Sequence, residues 1–258
     1  MQMIKAAFFD VDGTLFSHSM KKFPETTMEA LRSLRKKGIL IFLSTGRSYM
    51  ESQNLPWEDI RFDGYVTLNG QVCTDAKGNI LYGNPIKGED EKYLLSVFQN
   101  HEMPLMIVEA NRMYINYIDE AVERAQKYIS IPAPKLGEYH GEDIYQFIAY
   151  ITREEEKDIL EKIPGCKLTR WYEGGVDIIP KDSGKIVGIQ KILEIYGLKR
   201  EEIIAFGDGD NDADMLEFAG IGVAMGNAVE ITKKAADYVT DHIDEDGVWN
   251  ALKHFEII

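Results

Sequence analysis

A buried strand, an amphipathic helix and a second buried strand follow one another near the start of the chain, and this order sets the fold class. Residues 4–9 are apolar apart from Lys5, as expected for a strand covered on both faces of a sheet. The segment FPETTMEALRSLRKKG has apolar residues at helical spacing and ends at Gly38, and the apolar run ILIFLS follows it. This strand–helix–strand unit predicts a right-handed crossover in a doubly wound, Rossmann-like parallel α/β sheet.

The pattern changes between residues 83 and 183, which indicates an inserted domain. Helical segments there alternate with half-polar strands, as in an α+β sheet that helices cover on one face. The segment SIPAPKLGEYHGED is predicted to be a loop in this insertion. The strand–helix alternation returns after it, so we expect a core of residues 1–82 and 184–258 and an inserted domain of residues 83–183.

Charge and composition exclude several classes of protein. The 29 basic and 43 acidic side chains give a net charge of −14, which disfavours binding to nucleic acid or to anionic membranes. We find no signal-peptide pattern and no apolar run of the roughly 18 residues that span a membrane. Cys73 and Cys166 have no CxxC spacing, so we expect inert thiols in a cytoplasmic protein.

Polar residues follow the predicted core strands at four places. These are the motifs DVDGT from Asp10, STGR from Ser44, DSGK from Asp182 and GDGDND from Gly207. In open α/β sheets, ligands bind beyond the carboxyl ends of the strands. We therefore expect the four motifs to converge on one site.

The DVDGT motif supplies two carboxylates that could divide the work of one reaction. On an extended backbone, Asp10 and Asp12 would direct their side chains to the same side. One carboxylate can attack a substrate while its neighbour moves a proton. Gly13 would let the chain bend sharply beyond them, and Thr14 could help to hold that turn.

Three other interpretations of the glycine- and aspartate-rich segments fail on spacing. A calcium loop from Asp208 would need glycine and glutamate where the chain has Ala213 and Ala219. A dinucleotide-binding GxGxxG would need glycine in place of Asp212, and a P-loop ending at DSGKI would need glycine at Ile179.

The residues that remain are typical of a site for Mg²⁺ and phosphate. Asp208 and Asp212 offer oxygen ligands with no cluster of histidine or cysteine beside them, and such ligands favour Mg²⁺ over zinc. Lys185 offers a positive charge, and Thr45 a hydroxyl and an amide, for a phosphate oxygen. The histidines are scattered and no GxSxG motif occurs, so a serine triad has little support.

Taken together and in this order, DVDGT, STGR, the SGK lysine and GDGDND resemble the haloacid dehalogenase (HAD) superfamily. The resemblance covers essentially the whole chain and is to the Cof-type phosphatases with a class IIB α/β cap, so the insertion would be the cap. It implies a nucleophile at Asp10, a general acid and base at Asp12, and Mg²⁺ as cofactor. The implied phosphate-binding residues are Thr45, Gly46, Lys185 and Asn211. The implied metal ligands are Asp10, Asp12 through its carbonyl, and Asp208, with Asp212 binding or orienting the metal shell.

The expected reaction is hydrolysis of a small phosphomonoester, such as a sugar phosphate, through an aspartyl-phosphate. The expected partner is a small phosphorylated metabolite, and the expected state is a monomer or weak dimer. A phosphomutase of the same fold and a receiver-like phosphoacceptor are the alternatives. A catalytically inactive binding protein is disfavoured because every catalytic residue type is present.

A second set of residues has weaker support from the sequence. Cap residues select the leaving group in such enzymes, which makes Trp171, Glu173 and Asp177 candidate substrate contacts, although packing explains Trp171 equally well. Arg47 is expected to pair with a carboxylate rather than with substrate. The Asn69–Gly70 pair could line the site or form a turn.

Overall fold

The structure is a computed structural model that describes residues 3–129 and 132–258. Its helices and strands occur along the chain in the following order: β1 (Ala6–Phe9), α1 (Glu25–Lys36), β2 (Leu40–Ser44), α2 (Tyr49–Gln53), β3 (Gly64–Thr67), β4 (Val72–Asp75), β5 (Ile80–Gly83), α3 (Glu89–Gln99), β6 (Leu105–Glu109), β7 (Met113–Ile115), α4 (Glu120–Ile129), β8 (Ile144–Ala149), α5 (Glu156–Leu160), β9 (Cys166–Tyr172), β10 (Gly175–Pro180), α6 (Lys185–Tyr196), β11 (Ile203–Gly207), α7 (Ala213–Phe218), β12 (Ile221–Ala224), α8 (Glu230–Ala235), β13 (Tyr238–Val239) and α9 (Gly247–His254).

Contacts between Cα atoms divide the chain into two compact units. The first unit comprises Met1–Tyr82 and Gly184–Ile258, and the second comprises Gly83–Ser183. No helix in the described part of the chain is long and apolar enough to cross a membrane.

The first unit is built on a large, mainly parallel sheet. The strand order is β13-β12-β11-β1-β2-β3-β4-β5, with β1 parallel to both β2 and β11. Strand β4 is antiparallel to β3 and extends the sheet on one side. This architecture confirms the predicted doubly wound parallel sheet.

Helices cover both faces of this sheet because the side chains of β1 alternate between two apolar clusters. Ala7 and Phe9 belong to a cluster that includes apolar residues of α1 and α9, while Ala6 and Phe8 belong to one that includes residues of α6 and α7. The stacked rings of Phe9 and Phe206 join β1 to β11 with centroids 4.9 Å apart. Both faces of β1 are therefore fully buried, as its apolar run predicts.

The second unit contains an antiparallel sheet with strand order β7-β6-β8-β10-β9. Leu105 and Ile107 of β6 belong to the cluster that α3 and α5 complete. The next residue along the strand, Met106, lies on the opposite face in a cluster with Val122 and Ala125 of α4. The expectation that helices cover only one face is therefore wrong, because α4 has its own apolar side and needs a partner surface.

The sequence predicts a loop in the second unit but does not predict the last helix of the first unit. Of the loop predicted for residues 130–143, residues 130 and 131 lie outside the described part, and residues 132–143 contain no helix or strand. Helix α9, which the sequence analysis did not predict, packs Val248 and Leu252 into the same cluster as Phe9.

Candidate active site

The candidate site begins where the two central strands of the first unit end. Strands β1 and β11 are parallel neighbours, with Phe9 paired to Phe206. Asp10 follows β1 and is held by a hydrogen bond from its own amide to the Phe206 carbonyl (3.0 Å). Asp208 follows β11. The predicted convergence of these two motifs therefore results directly from the register of the sheet.

Lys185, the first residue of α6, links the aspartates of two motifs. Its Nζ atom donates to Oδ1 of Asp10 and to Oδ1 of Asp212, both at 2.6 Å. The lysine side chain is fully buried, and the aspartate side chains are 10% and 1% exposed. A charge at this depth is tolerated only when it is paired and hydrogen-bonded, so the three side chains form one electrostatic unit.

Burial by itself shifts the pKa values of Asp10 and Lys185 in opposite directions. It raises the pKa of Asp10 well above its usual value, although Lys185 opposes the rise. Burial alone would lower the pKa of Lys185, but Asp10 and Asp212 together hold it above its usual value, so the amine stays protonated. One positive charge is thus shared between two buried carboxylates.

Residues of the DVDGT loop hold the Asp208 carboxylate in place. Its Oδ1 atom accepts a hydrogen bond from the Thr14 hydroxyl at 2.8 Å. Gly13 has a φ of +86°, and a Cβ atom on it would fall 2.2 Å from Oδ2 of Asp208. Burial raises the pKa of Asp208 to about 6, with the Thr14 hydroxyl acting against the rise. The turn at Gly13 therefore has space for the Asp208 carboxylate only because residue 13 has no side chain.

Asp212 accepts hydrogen bonds from its own loop as well as from Lys185. Its Oδ2 atom accepts hydrogen bonds from the amides of Asp208 and Gly209, each at 2.9 Å, while Oδ1 accepts from Lys185. Both oxygens are already engaged by donors. These contacts favour an orienting role for Asp212 over direct binding of a metal.

The aspartates fit a divalent cation in both geometry and charge. One carboxylate oxygen from each of Asp10, Asp208 and Asp212 lies within 4.8 Å of the other two. Three carboxylates face a single lysine, so the cluster carries excess negative charge in a buried place. A hard cation with oxygen ligands, of which Mg²⁺ is the first choice, would offset that excess.

Asp12 has different partners from Asp10. Strand β1 ends at Phe9, so both aspartates follow the strand instead of extending it. The Asp12 carboxylate accepts a two-pronged pair from Arg47, with Nε–Oδ2 at 2.6 Å and Nη2–Oδ1 at 2.7 Å. His18 Nε2 lies 3.2 Å from the same Oδ1 atom. Arg47 thus pairs with a carboxylate, as the sequence suggests. That carboxylate belongs to Asp12, the expected general acid and base.

The remaining predicted phosphate-binding residues lie in two loops that a turn connects. Thr45 is buried, and its hydroxyl accepts a hydrogen bond from the Arg47 amide at 3.2 Å. Gly46 is exposed beside the Asn69 amide group. Asn211 donates from Nδ2 to Oδ1 of Asn69 at 2.9 Å. Asn69 therefore joins the STGR and GDGDND motifs.

Sequence reasoning missed Asn227, which lies after β12 in the segment MGNA. Its Nδ2 atom donates to the Gly13 carbonyl at 2.8 Å and lies 3.4 Å from Oδ2 of Asp208. Its Oδ1 atom accepts from the Ile243 amide at 3.0 Å. The available signal was a polar residue in the loop that follows a parallel strand, a placement that the DVDGT, STGR and GDGDND motifs share.

The candidate contacts in the second unit have packing and surface roles in the structure. Trp171 packs edge-on against Tyr150, with ring centroids 6.4 Å apart. Glu173 is exposed and lines, with Tyr150, Tyr172, Arg124 and neighbouring residues, a cavity of about 450 Å³. Asp177 is half-buried on β10, opposite Ile148 of β8 and Thr169 of β9. Their contact with substrate stays a prediction.

Comparisons with known proteins agree with the fold and with the motifs. Residues 7–252 match the family model of haloacid dehalogenase-like hydrolases. Over 257 residues the chain is 32% identical to YkrA of Bacillus subtilis, with 98% of each chain covered. It is 31% identical over 262 residues to the 5-amino-6-(5-phospho-D-ribitylamino)uracil phosphatase YitU of the same species, with 95% of each covered.

A solved structure extends this similarity to three dimensions. The HAD subclass IIB sugar phosphatase BT4131 is 37% identical and superposes with a TM-score of 0.80, covering 98% of this chain and 100% of that one. The similarity therefore spans both units of the chain.

Proposed function

Since the chain belongs to the haloacid dehalogenase-like hydrolase family and is a phosphatase of its Cof type, we propose that it hydrolyses small phosphomonoesters through an aspartyl-phosphate on Asp10. The observation that carries this proposal is the buried contact between Lys185 and Asp10 at 2.6 Å, beside Asp208. A carboxylate that is fixed by a lysine on one oxygen can present the other oxygen to phosphorus.

The proposed reaction has two displacement steps at phosphorus. A carboxylate oxygen of Asp10 forms a bond to phosphorus while the bond from phosphorus to the ester oxygen breaks, and Asp12 gives its proton to the departing alcohol. Water then attacks the phosphorus of the aspartyl-phosphate while Asp12 takes a proton from it. This step releases inorganic phosphate and restores the Asp10 carboxylate.

We propose that Asp10 and Asp208 hold Mg²⁺, with the main-chain carbonyl of Asp12 as a further ligand. When bound, Mg²⁺ would offset the repulsion between the acidic cluster and the negative phosphoryl group. Asp212 would orient the Asp208 loop through the hydrogen bonds that its carboxylate accepts from two main-chain amides of that loop. Thr45, Gly46, Lys185 and Asn211 would bind and position the phosphoryl oxygens.

The substrate class that we propose is a phosphate ester on a hydroxyl-rich carbon chain. The support comes from two similar proteins, the sugar phosphatase BT4131 and the 5-amino-6-(5-phospho-D-ribitylamino)uracil phosphatase YitU. Trp171, Glu173 and Asp177 remain the proposed contacts for the leaving group. A cytoplasmic location and a monomeric or weakly dimeric state likewise stay predictions.

Phosphate release from a panel of sugar and polyol phosphates, with Mg²⁺ and with EDTA, tests the proposal. We expect activity with Mg²⁺, loss of activity with EDTA, and loss of activity in Asp10→Asn. A variant that hydrolyses as fast as the parent would show that the nucleophile is another residue. Conversion of a single sugar phosphate into its isomer without phosphate release would instead identify a phosphomutase.

A further inference from the structure

The turn at Leu68–Gly70, between β3 and β4, has an unusual backbone. Its three residues have successive φ values of +50°, +55° and +91°. Positive φ is uncommon for any residue other than glycine and is a clear outlier for leucine. Such a conformation persists only where the surrounding structure fixes it, and residues of this kind cluster at functional sites.

Backbone hydrogen bonds attach this turn to the STGR motif. The Leu68 amide donates to the Arg47 carbonyl at 3.0 Å, and the Asn69 amide donates to the Thr45 carbonyl at 3.1 Å. The loop that contains Thr45 and Gly46 is therefore held along its length by the turn. A displacement of the turn's backbone would therefore disturb the main chain of that loop.

The same turn contacts two further motifs of the site. A Cβ atom on Gly70 would fall 2.0 Å from the Gly184 carbonyl oxygen, so the turn packs directly against the residue that precedes Lys185. The Asn69 Oδ1 atom accepts from Asn211 Nδ2 at 2.9 Å. Three separate polar loops thus contact this one turn.

We propose that Asn69 is a positioning residue for the phosphate site, with its side chain acting through Asn211. An amide nitrogen carries two protons, so the bond to Asn69 directs one proton of Asn211 Nδ2 and leaves the second for a phosphoryl oxygen. Asparagine suits this position for two reasons. It tolerates positive φ, and its side chain supplies the oxygen that accepts the bond from Asn211. The inference rests on the proposed function. It adds to the phosphate site a residue that lies outside the four motifs by which the chain resembles the family.

The test separates the Asn69 side chain from its backbone conformation. Asn69→Gly keeps the positive φ and removes the acceptor. With p-nitrophenyl phosphate as substrate, we expect the KM and the inhibition constant of inorganic phosphate to rise about threefold to tenfold, the scale of one lost hydrogen bond. We expect kcat to change by less than about threefold and the Tm to stay near that of the parent. Glu256→Gly, at an exposed residue with a φ of +56°, is the control and should leave all of these values unchanged.

A second variant tests whether the effect passes through Asn211. If it does, Asn69→Gly should add little to the phosphate inhibition constant of Asn211→Ala, because the two side chains form one interaction. Equal effects of Asn69→Gly in the parent and in Asn211→Ala would refute that route, and a parent-like inhibition constant in Asn69→Gly would refute the positioning role altogether.

Calorimetric titration with inorganic phosphate separates this inference from the proposed function. A parent protein that hydrolyses no phosphate ester would refute the proposed function. The binding of inorganic phosphate to the parent and to Asn69→Gly would still decide the role of Asn69, because this measurement needs no turnover. Equal phosphate affinity in the two proteins would then be evidence against it.

Discussion

Gly13 and Asp208 lie so close that a Cβ atom on Gly13 would fall 2.2 Å from Oδ2 of Asp208. The two residues belong to motifs almost two hundred positions apart, and the Thr14 hydroxyl joins the same pair of motifs. The space for the Asp208 carboxylate is therefore set by the absence of a side chain at Gly13.

Gly13→Ala is expected to displace Asp208 and to lower kcat/KM by about 100-fold, the cost of misplacing a reactive group by about 1 Å. The positive φ of Gly13 adds a stability loss of about 1 kcal/mol. Gly38→Ala is the matched control, since Gly38 has a φ of +75° and a Cβ atom on it would meet nothing within 4 Å. It should lose similar stability and keep its activity. Equal activity in the two variants would contradict the steric argument.

Lys185→Met is expected to lower the free energy of unfolding by about 3–5 kcal/mol, because it leaves buried carboxylates without their cation. The measurement is urea denaturation at neutral pH without divalent metal. The double variant Lys185→Met with Asp212→Asn removes one charge of each sign, so it should be more stable than the sum of the two single effects implies. Strict additivity would show that the two side chains act independently.

Arg47→Lys keeps the positive charge at Asp12 and loses the two-pronged geometry, which lysine cannot reproduce. We expect kcat to fall about tenfold on a sugar phosphate and less on p-nitrophenyl phosphate, because the alkoxide leaving group depends more on a well-placed acid. The Tm should change little, since the Arg47 and Asp12 side chains are about one-third exposed (30% and 33%).

The control for this variant is Arg32→Lys. Arg32 also makes a paired contact with a carboxylate, Asp59, on an exposed surface outside the site. Its replacement should leave kcat unchanged for both substrates. An equal loss on both substrates in Arg47→Lys would place the effect of Arg47 outside leaving-group protonation.

The sequence predicts the parts of this site that depend on strand order, since apolar runs locate the strands and polar residues follow them. Asp10 and Asp208 come together for that reason. The expectation that DSGK also follows a core strand is wrong, because Lys185 begins α6 after β10, a strand of the second unit. The sequence does not single out Asn227 among the polar residues that follow strands, and it indicates that Arg47 pairs with a carboxylate without identifying Asp12, because those contacts depend on side-chain geometry between loops that are distant along the chain. The position of α4 was also missed, because periodicity identifies an apolar helix face without indicating which face of a sheet it covers.

Cys73 and Cys166 provide a separate measure of stability for each unit. Burial raises the pKa of each thiol to about 12. At pH 8 only about one thiol in ten thousand would then be ionised, and the thiolate is the reactive form. We expect no reaction with a disulfide reagent within the mixing time in the folded protein, and rapid reaction of both cysteines after unfolding in guanidinium chloride.

The rates of labelling in the folded protein extend this test, because the two cysteines lie in different units. If each unit opens by itself, peptide mapping should show Cys73 and Cys166 reacting with separate rate constants, each of which rises with denaturant. Equal rate constants at every denaturant concentration would indicate that the two units unfold as one. Labelling of either cysteine within the mixing time would contradict the burial on which the prediction rests.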